Sequence, residues 1–325
     1  MRVLLLGASG LLGHNVLIQL LQAGHEVHAL LRSSSSLQLP QEYLDSPRLT
    51  LFNLQSSIFN FQAAEGCEGI INCIGCTDMS LLHFEDYLPA NRDICARLVT
   101  LMEAQGISRL VHVSTANTIG YGTPECPADE QSPMQEPFTR SWYALSKREG
   151  EAILDEAARR HPDWHTVTVH PGFMIGPYDV KPSSGVLLLA AYRRRLMAAP
   201  CGGKSFLHVG DAAAAIVNAL TLGKHGGHYL LTGESLTLKE FYALQAEVCG
   251  YRQQCLTLPS WMVRTAGYVG DGLRLMGIQT QLSTRNVRQL LVREDYDNRR
   301  ARQELLMPAT PVRQAIADFF RWREK

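Results

Sequence analysis

The chain has no excess charge of either sign: lysine plus arginine and aspartate plus glutamate number 31 each over 325 residues. A balanced chain raises no global field to recruit nucleic acid or a membrane. Long apolar runs are missing too. The longest obvious one, 186–192, is far shorter than the roughly 20 residues a spanning helix needs. Glycines break the apolar N-terminus from Gly7 onward and no small-residue cleavage site follows, so no signal peptide is expected. Repeats and low-complexity tracts are absent, and 33–36 is only a polar turn. A soluble, cytoplasmic protein is the expectation. The eight cysteines form no disulfide framework. Cys73 and Cys76 have the spacing of a redox or zinc half-site, but no second pair exists. Cys73 also continues the apolar run of Ile70, Ile71 and Ile74, so buried strand thiols and no metal are expected.

What is present describes an ordinary globular protein, 46% hydrophobic and 19% charged. Arg2–Leu6 is a short apolar strand ending in glycine. Residues 11–21 carry helical spacing in Leu12, Val16 and Leu20, closed by Gly24. Glu26–Leu31, 49–52, 69–74 and 109–114 read as further strands. A helix ending at Gly106 presents Ile94, Leu98, Leu101 and Met102 on one face. Trp142–Arg160 is another helix and 165–170 another strand. Strand and helix alternating at this pace predict an α/β fold with a doubly wound parallel sheet covered on both faces.

Beyond Pro171 the rhythm changes. Prolines and glycines crowd 171–185 into a long loop. Helices at 211–222, Leu238–Val248, 261–276 and 310–323 then mix with brief strands such as 228–231. A smaller mixed α/β substrate lobe is expected. The reading assigns 1–169 plus about 206–225 to the dinucleotide domain, and about 170–205 and 226–325 to the lobe.

Gly7-Ala8-Ser9-Gly10-Leu11-Leu12-Gly13 joins the first strand to the first helix. That position requires one glycine for the tight turn, one for backbone approach to a pyrophosphate and one for helix–strand packing. The helix N-terminus then offers the phosphates its free N–H groups. At the end of the second strand, where an acidic residue would hold an NAD ribose, stand Leu31, Arg32 and Ser33. A cation with hydroxyls suits a 2′-phosphate, which favours NADP(H) and leaves NAD(H) possible.

Tyr143 and Lys147 lie one turn apart on one helix face. A lysine ammonium beside a tyrosine favours the phenolate, and such a phenol can pass a proton to or from a substrate oxygen. Thr115 follows the fifth strand at the carboxyl edge, where ligands of these sheets bind, and its hydroxyl can orient the tyrosine.

These motifs, with Gly120 five residues past Thr115, Pro171-Gly-Phe-Met-Ile-Gly176-Pro177 and Phe206-Leu-His-Val-Gly-Asp211, resemble the extended short-chain dehydrogenase/reductases over nearly the whole length. That group includes sugar-nucleotide epimerases, dehydratases and dihydroflavonol reductases. The resemblance implies Thr115, Tyr143 and Lys147 as the catalytic set. It implies cofactor contacts at Gly7, Ser9, Gly10, Leu11, Leu12 and Gly13, at Arg32, Asn53 and Leu54, and at Cys73, Ile74, Gly75 and Asn91. Tyr143 and Lys147, with His170, Pro171, Gly172 and Phe173, complete that set on the nicotinamide side. His208 and Asp211 match a segment that packs the lobes together, and a homodimer through the long helices is implied.

The departures narrow the function. Dehydratases of the group carry an acidic pair after the threonine, where this chain has Ala116 and Asn117, so dehydration is disfavoured. Asn53 replaces the adenine-side acid, and His170-Pro171-Gly172 lacks the diphosphate-binding asparagine of many sugar-nucleotide enzymes. An NADP-dependent reductase or dehydrogenase of a ketone, aldehyde or secondary alcohol is the leading reading. A nucleotide-sugar epimerase is the alternative, and a non-catalytic dinucleotide sensor the third. Arg193-Arg194-Arg195 could meet an anionic substrate or form a solvated helix face. Met79, Phe173, Met174 and Tyr178 could line an apolar pocket or simply pack the lobe.

Overall fold

The computed structural model describes residues 1–31, 37–53, 61–181 and 183–324; Arg32, Ser33 and Leu54, singled out above, lie outside the described residues. The strands in chain order are β1 (Arg2–Leu6), β2 (Glu26–Leu31), β3 (Leu49–Asn53), β4 (Gly69–Asn72), β5 (Arg109–Val113), β6 (His165–Pro171), β7 (Phe173–Ile175), β8 (Leu196–Pro200), β9 (Gly203–His208), β10 (Gly227–Leu231), β11 (Glu234–Thr237) and β12 (Gln254–Leu258). The main helices are α1 (Leu11–Gln22), α2 (Ile94–Gln105), α3 (Trp142–Arg160), α4 (Val209–Asn218), α5 (Leu238–Val248), α6 (Ser260–Leu275) and α7 (Val312–Arg323).

Seven strands form one parallel sheet in the order β3-β2-β1-β4-β5-β6-β10. The apolar runs of β1 and β4 are buried on both faces, as a helix-covered parallel sheet requires. Alternate side chains of β1 feed two different cores. Val3 and Leu5 join Val16, Leu20 and Ile216 on one side, while Leu4 and Leu6 join Leu98, Met102 and Leu154 on the other. Strand order reverses between β1 and β4, which opens a crevice at the carboxyl edge.

Gly227–Leu231 departs from the sequence reading. Assigned there to the lobe beyond 226, it instead pairs with β6 as the edge strand of the central sheet. Ala301, Leu305 and Met307 follow it into the core beside Leu231 and Tyr229. A single edge strand separated from its sheet by 55 residues has no βαβ signature of its own, so the pattern could not assign it. The lobe proper gathers β7, β9 and β11 in a small mixed sheet, packed through Phe206, Phe241 and Phe319 against α5 and α7. The helix ending at Gly106 also proves composite. A π-helical turn, Pro89–Asp93, precedes α2, and Pro89 has no N–H to give a regular ladder.

Candidate active site

The fingerprint turn is built as the glycine logic requires. Gly7 sits at φ +79°, and a Cβ there would stand 2.8 Å from the Cys73 carbonyl carbon. A Cβ on Gly13 would meet the Gly7 carbonyl oxygen at 2.0 Å, so only glycine lets α1 close on β1. Gly10 is the N-cap of α1 and is exposed, and no side chain caps that end. The first-turn N–H groups therefore face the crevice with the positive end of the helix dipole. Ser9 and Leu11 flank them half-buried, while Leu12 is buried. Leu31 and Asn53 lie in register at the carboxyl ends of β2 and β3, with Asn53 exposed. A cradle that any Cβ would fill, beside an uncapped helix end, fits a dinucleotide pyrophosphate.

On the other flank, Cys73, Ile74 and Gly75 extend β4 between this turn and α3. Lys147 is buried, and its Nζ donates to the carbonyls of Val113 at 2.9 Å and Ile74 at 3.2 Å. Gly75 permits this, because a Cβ would stand 2.9 Å from Nζ. Asn91, in the π turn, is wholly internal: its Oδ1 accepts from Cys76 N at 2.8 Å, and its Nδ2 donates to the Cys76 carbonyl and to Ser146 Oγ. It fixes the β4 extension onto α3, so its side chain is committed to protein partners.

Tyr143 stands half-buried one turn before Lys147, hydrogen-bonded to the Thr115 side chain. Burial pushes its phenol up to about 12, with the Thr115 bond opposing. The sequence expectation was that Lys147 would lower this value. Instead the ammonium is spent on two strand carbonyls, and burial lowers its own pKa. Burial therefore favours the neutral phenol over the phenolate. Ser141 caps α3 by accepting from Ala144 N, and the Arg285 guanidinium lies 3.5 Å over the neighbouring Trp142 ring.

A second group, missed by sequence reading, lies behind Thr115. Glu151, one turn past Lys147, accepts from Ser114 Oγ. His170 places Nδ1 3.1 Å from Thr118 Oγ1 and 3.2 Å from the Thr115 carbonyl, and Nε2 2.9 Å from His228 Nδ1. His228 in turn reaches Asp155 at 3.0 Å. Among the described residues Glu151, His170 and His228 are close enough to share an ion. Their ring nitrogens are already engaged, however, so the arrangement is a hydrogen-bonded staple joining β5, α3, β6 and β10. The signal for Glu151 was available: Tyr143, Lys147 and Glu151 repeat every four residues along one helix stripe.

The remaining candidates divide. Pro171 ends β6, and Gly172 donates to the Leu231 carbonyl at 2.9 Å. Phe173 packs edge-on against Phe206 in the lobe. Met174 packs on the main core, and Tyr178 stacks with His14 and touches Trp322. His208 caps α4 and approaches Asp318 at 3.3 Å, and Asp211 accepts two hydrogen bonds from Thr310. All eight cysteines are free, and burial pushes the Cys73 thiol up to about 12. Arg193, Arg194 and Arg195 are exposed in the turn before β8.

A doubly wound sheet with a glycine cradle at its switch point and a Thr–Tyr–Lys set at the same edge defines an NAD(P)-dependent enzyme of the oxidoreductase/epimerase class. The chain belongs to the NAD dependent epimerase/dehydratase family, whose model matches residues 3–232. It is 28% identical over 324 residues, 97% of this chain and 92% of the relative, to a Synechocystis sp. protein provisionally named dihydroflavonol 4-reductase. It is 29% identical over 280 residues, 84% and 80% of the two chains, to a 4-hydroxy-2-methyl-3-oxo-4-farnesyl-3,4-dihydroquinoline-1-oxide ketoreductase of Stigmatella aurantiaca. In fold it matches a nucleoside-diphosphate-sugar epimerase from Pseudomonas aeruginosa, with TM-score 0.74 at 22% identity, covering 100% of this chain and 97% of that one.

Proposed function

We propose that the chain is an NADP(H)-dependent reductase of a ketone or aldehyde. The observation that carries this is geometric: Thr115, Tyr143 and the buried Lys147, whose Nζ donates to the Val113 and Ile74 carbonyls, stand at the same sheet edge as the glycine cradle. A phenol at that position can pass its proton to a substrate oxygen as a carbonyl is reduced. A bound nicotinamide would supply the hydride. Thr115 would hold the substrate oxygen beside Tyr143, the Tyr143 O–H would protonate that oxygen as it becomes an alcohol, and Lys147 would pin the β4 and β5 ends beneath them. Gly7, Gly10 and Gly13 would hold the pyrophosphate. Arg32 would select the 2′-phosphate. Both reductase-named relatives agree with this direction of chemistry. A homodimer belongs to the same reading, to be checked by the mass of the purified protein in solution.

Tyr143→Phe is expected to lower kcat by ~10²–10⁴ in NADPH-dependent ketone reduction; wild-type turnover in that variant would refute the assignment. Arg32→Asp is expected to weaken NADPH by about 2 kcal/mol or more while sparing NADH. Equal affinity of the parent for both nucleotides would remove Arg32 from the site. An epimerase recycles its cofactor in place, so tightly held NAD(H) released on denaturing the protein would favour that alternative instead.

A further inference from the structure

Helix α6 faces the wrong way for an ordinary surface helix. Its narrow inward stripe is Val263, Gly267 and Gly270. The two glycines press on 282–287 so closely that a Cβ would stand 3.0 Å from Thr284 Cα and 2.1 Å from the Leu282 carbonyl oxygen. That contact fixes the rotation of the helix, and the opposite arc is left outside. The outer arc carries Trp261 at 67% exposure, Met262, Tyr268, Val269 and Leu275 at 91%, and Met276 and Ile278 continue it. Such a contiguous set of large apolar side chains marks an interaction face.

The charge around it identifies the partner. Over 249–292 the chain carries five arginines against a single acid, Asp271, although the whole chain is neutral; the next arginine, Arg293, is spent on Asp295 at 3.0 Å. Asp271 is turned inward onto Thr284, with Oδ2 accepting at 2.6 Å. Arg264 and Arg288 line a notch with Tyr268, Thr284 and Val287, beside the apolar arc. We propose that α6 and the segment 276–290 form a peripheral docking face for an anionic phospholipid surface. Tryptophan and tyrosine suit the headgroup boundary and the aliphatic side chains the acyl region below it. The arginine notch meets lipid phosphates. This requires no spanning segment, and no helix among the described residues is long and apolar enough to cross a membrane. The face also communicates with the active-site side of the lobe. Arg274 of α6 donates to the Met79 carbonyl at 2.6 Å, and Asn286 donates to the same carbonyl at 2.8 Å. A lipophilic substrate drawn from the bilayer would thus enter beside residues 76–84. The docking itself does not depend on which carbonyl is reduced.

The test sediments the full-length protein with vesicles of phosphatidylcholine plus phosphatidylglycerol, and with phosphatidylcholine alone. The protein should pellet with the mixed vesicles, be released by salt, and stay in solution with the neutral ones. Trp261→Ser with Leu275→Ser should lower the bound fraction about tenfold, and Arg264→Glu with Arg288→Glu similarly. NADPH affinity and thermal midpoint of each variant should match the parent. Wild-type protein that ignores the mixed vesicles, or double variants that both pellet undiminished, would overturn the proposal. So would a self-associated species lost in the Trp261/Leu275 variant, which would give the face to a second copy of the chain. Nucleotide binding is read in the same samples, so failure of docking and failure of the reductase reading are separable.

Discussion

Gly75 shows how a residue with no side chain can set the position of a proposed catalytic one. A Cβ there would stand 2.9 Å from Lys147 Nζ and 3.5 Å from Asn91 Oδ1. The lysine is the flexible partner and can retreat, so Gly75→Ala should fold. Its kcat should fall about tenfold or more, because small displacements of catalytic groups are costly, while the thermal midpoint changes little. A steady-state assay with a melting curve checks this; a full-rate enzyme would mean the lysine's present position is immaterial. Gly75, Lys147 and Tyr143 were all legible as candidates from motif spacing. The commitment of Asn91 to Cys76 and Ser146 was not, since those partners lie 15 and 55 residues away.

At the scale of elements, the Glu151–His170–His228–Asp155 staple ties β5, α3, β6 and β10 together behind Thr115, and its titration has a definite sign. Burial first, then the charge of His228, pushes His170 down to about 3. The neutral ring is favoured in the fold, so its contribution is present above about pH 6.5 and is lost as pH falls toward 3. His14 and His112, also lowered mainly by burial, act in the same direction. Glu151 and His228 are raised, so they contribute at low pH and lose stability as pH rises. With His25, also lowered mainly by burial, four depressed histidines against these two predict net acid sensitivity. The thermal midpoint should fall as pH is lowered below about 6.5, and His170→Gln should flatten that slope while lowering the midpoint at neutral pH. Scanning fluorimetry across this range would show it; an unchanged slope would place the acid sensitivity elsewhere.

At the scale of the whole molecule, a buried carboxylate ties the C-terminal segment to the start of α4. Asp211, buried at the start of α4, accepts from Thr310 N at 2.7 Å and Thr310 Oγ1 at 2.8 Å. Asp211→Ala should cost about 1–2 kcal/mol by leaving the half-buried Thr310 N–H and hydroxyl without their acceptor, with NADPH affinity preserved. Chemical unfolding and a nucleotide titration test the two halves of that statement, and coupled losses would contradict it. The sequence by itself determined the parallel sheet, the glycine cradle and the Thr115–Tyr143–Lys147 set, because each is written locally: in an apolar run, in glycine spacing, in a four-residue helical repeat. Only the tertiary structure decided that Gly227–Leu231 closes the central sheet, that Lys147 spends its charge on two strand carbonyls, and that α6 turns its apolar arc outward. Those outcomes depend on which distant backbones meet and how much water they exclude, and neither quantity is encoded in any short stretch of chain.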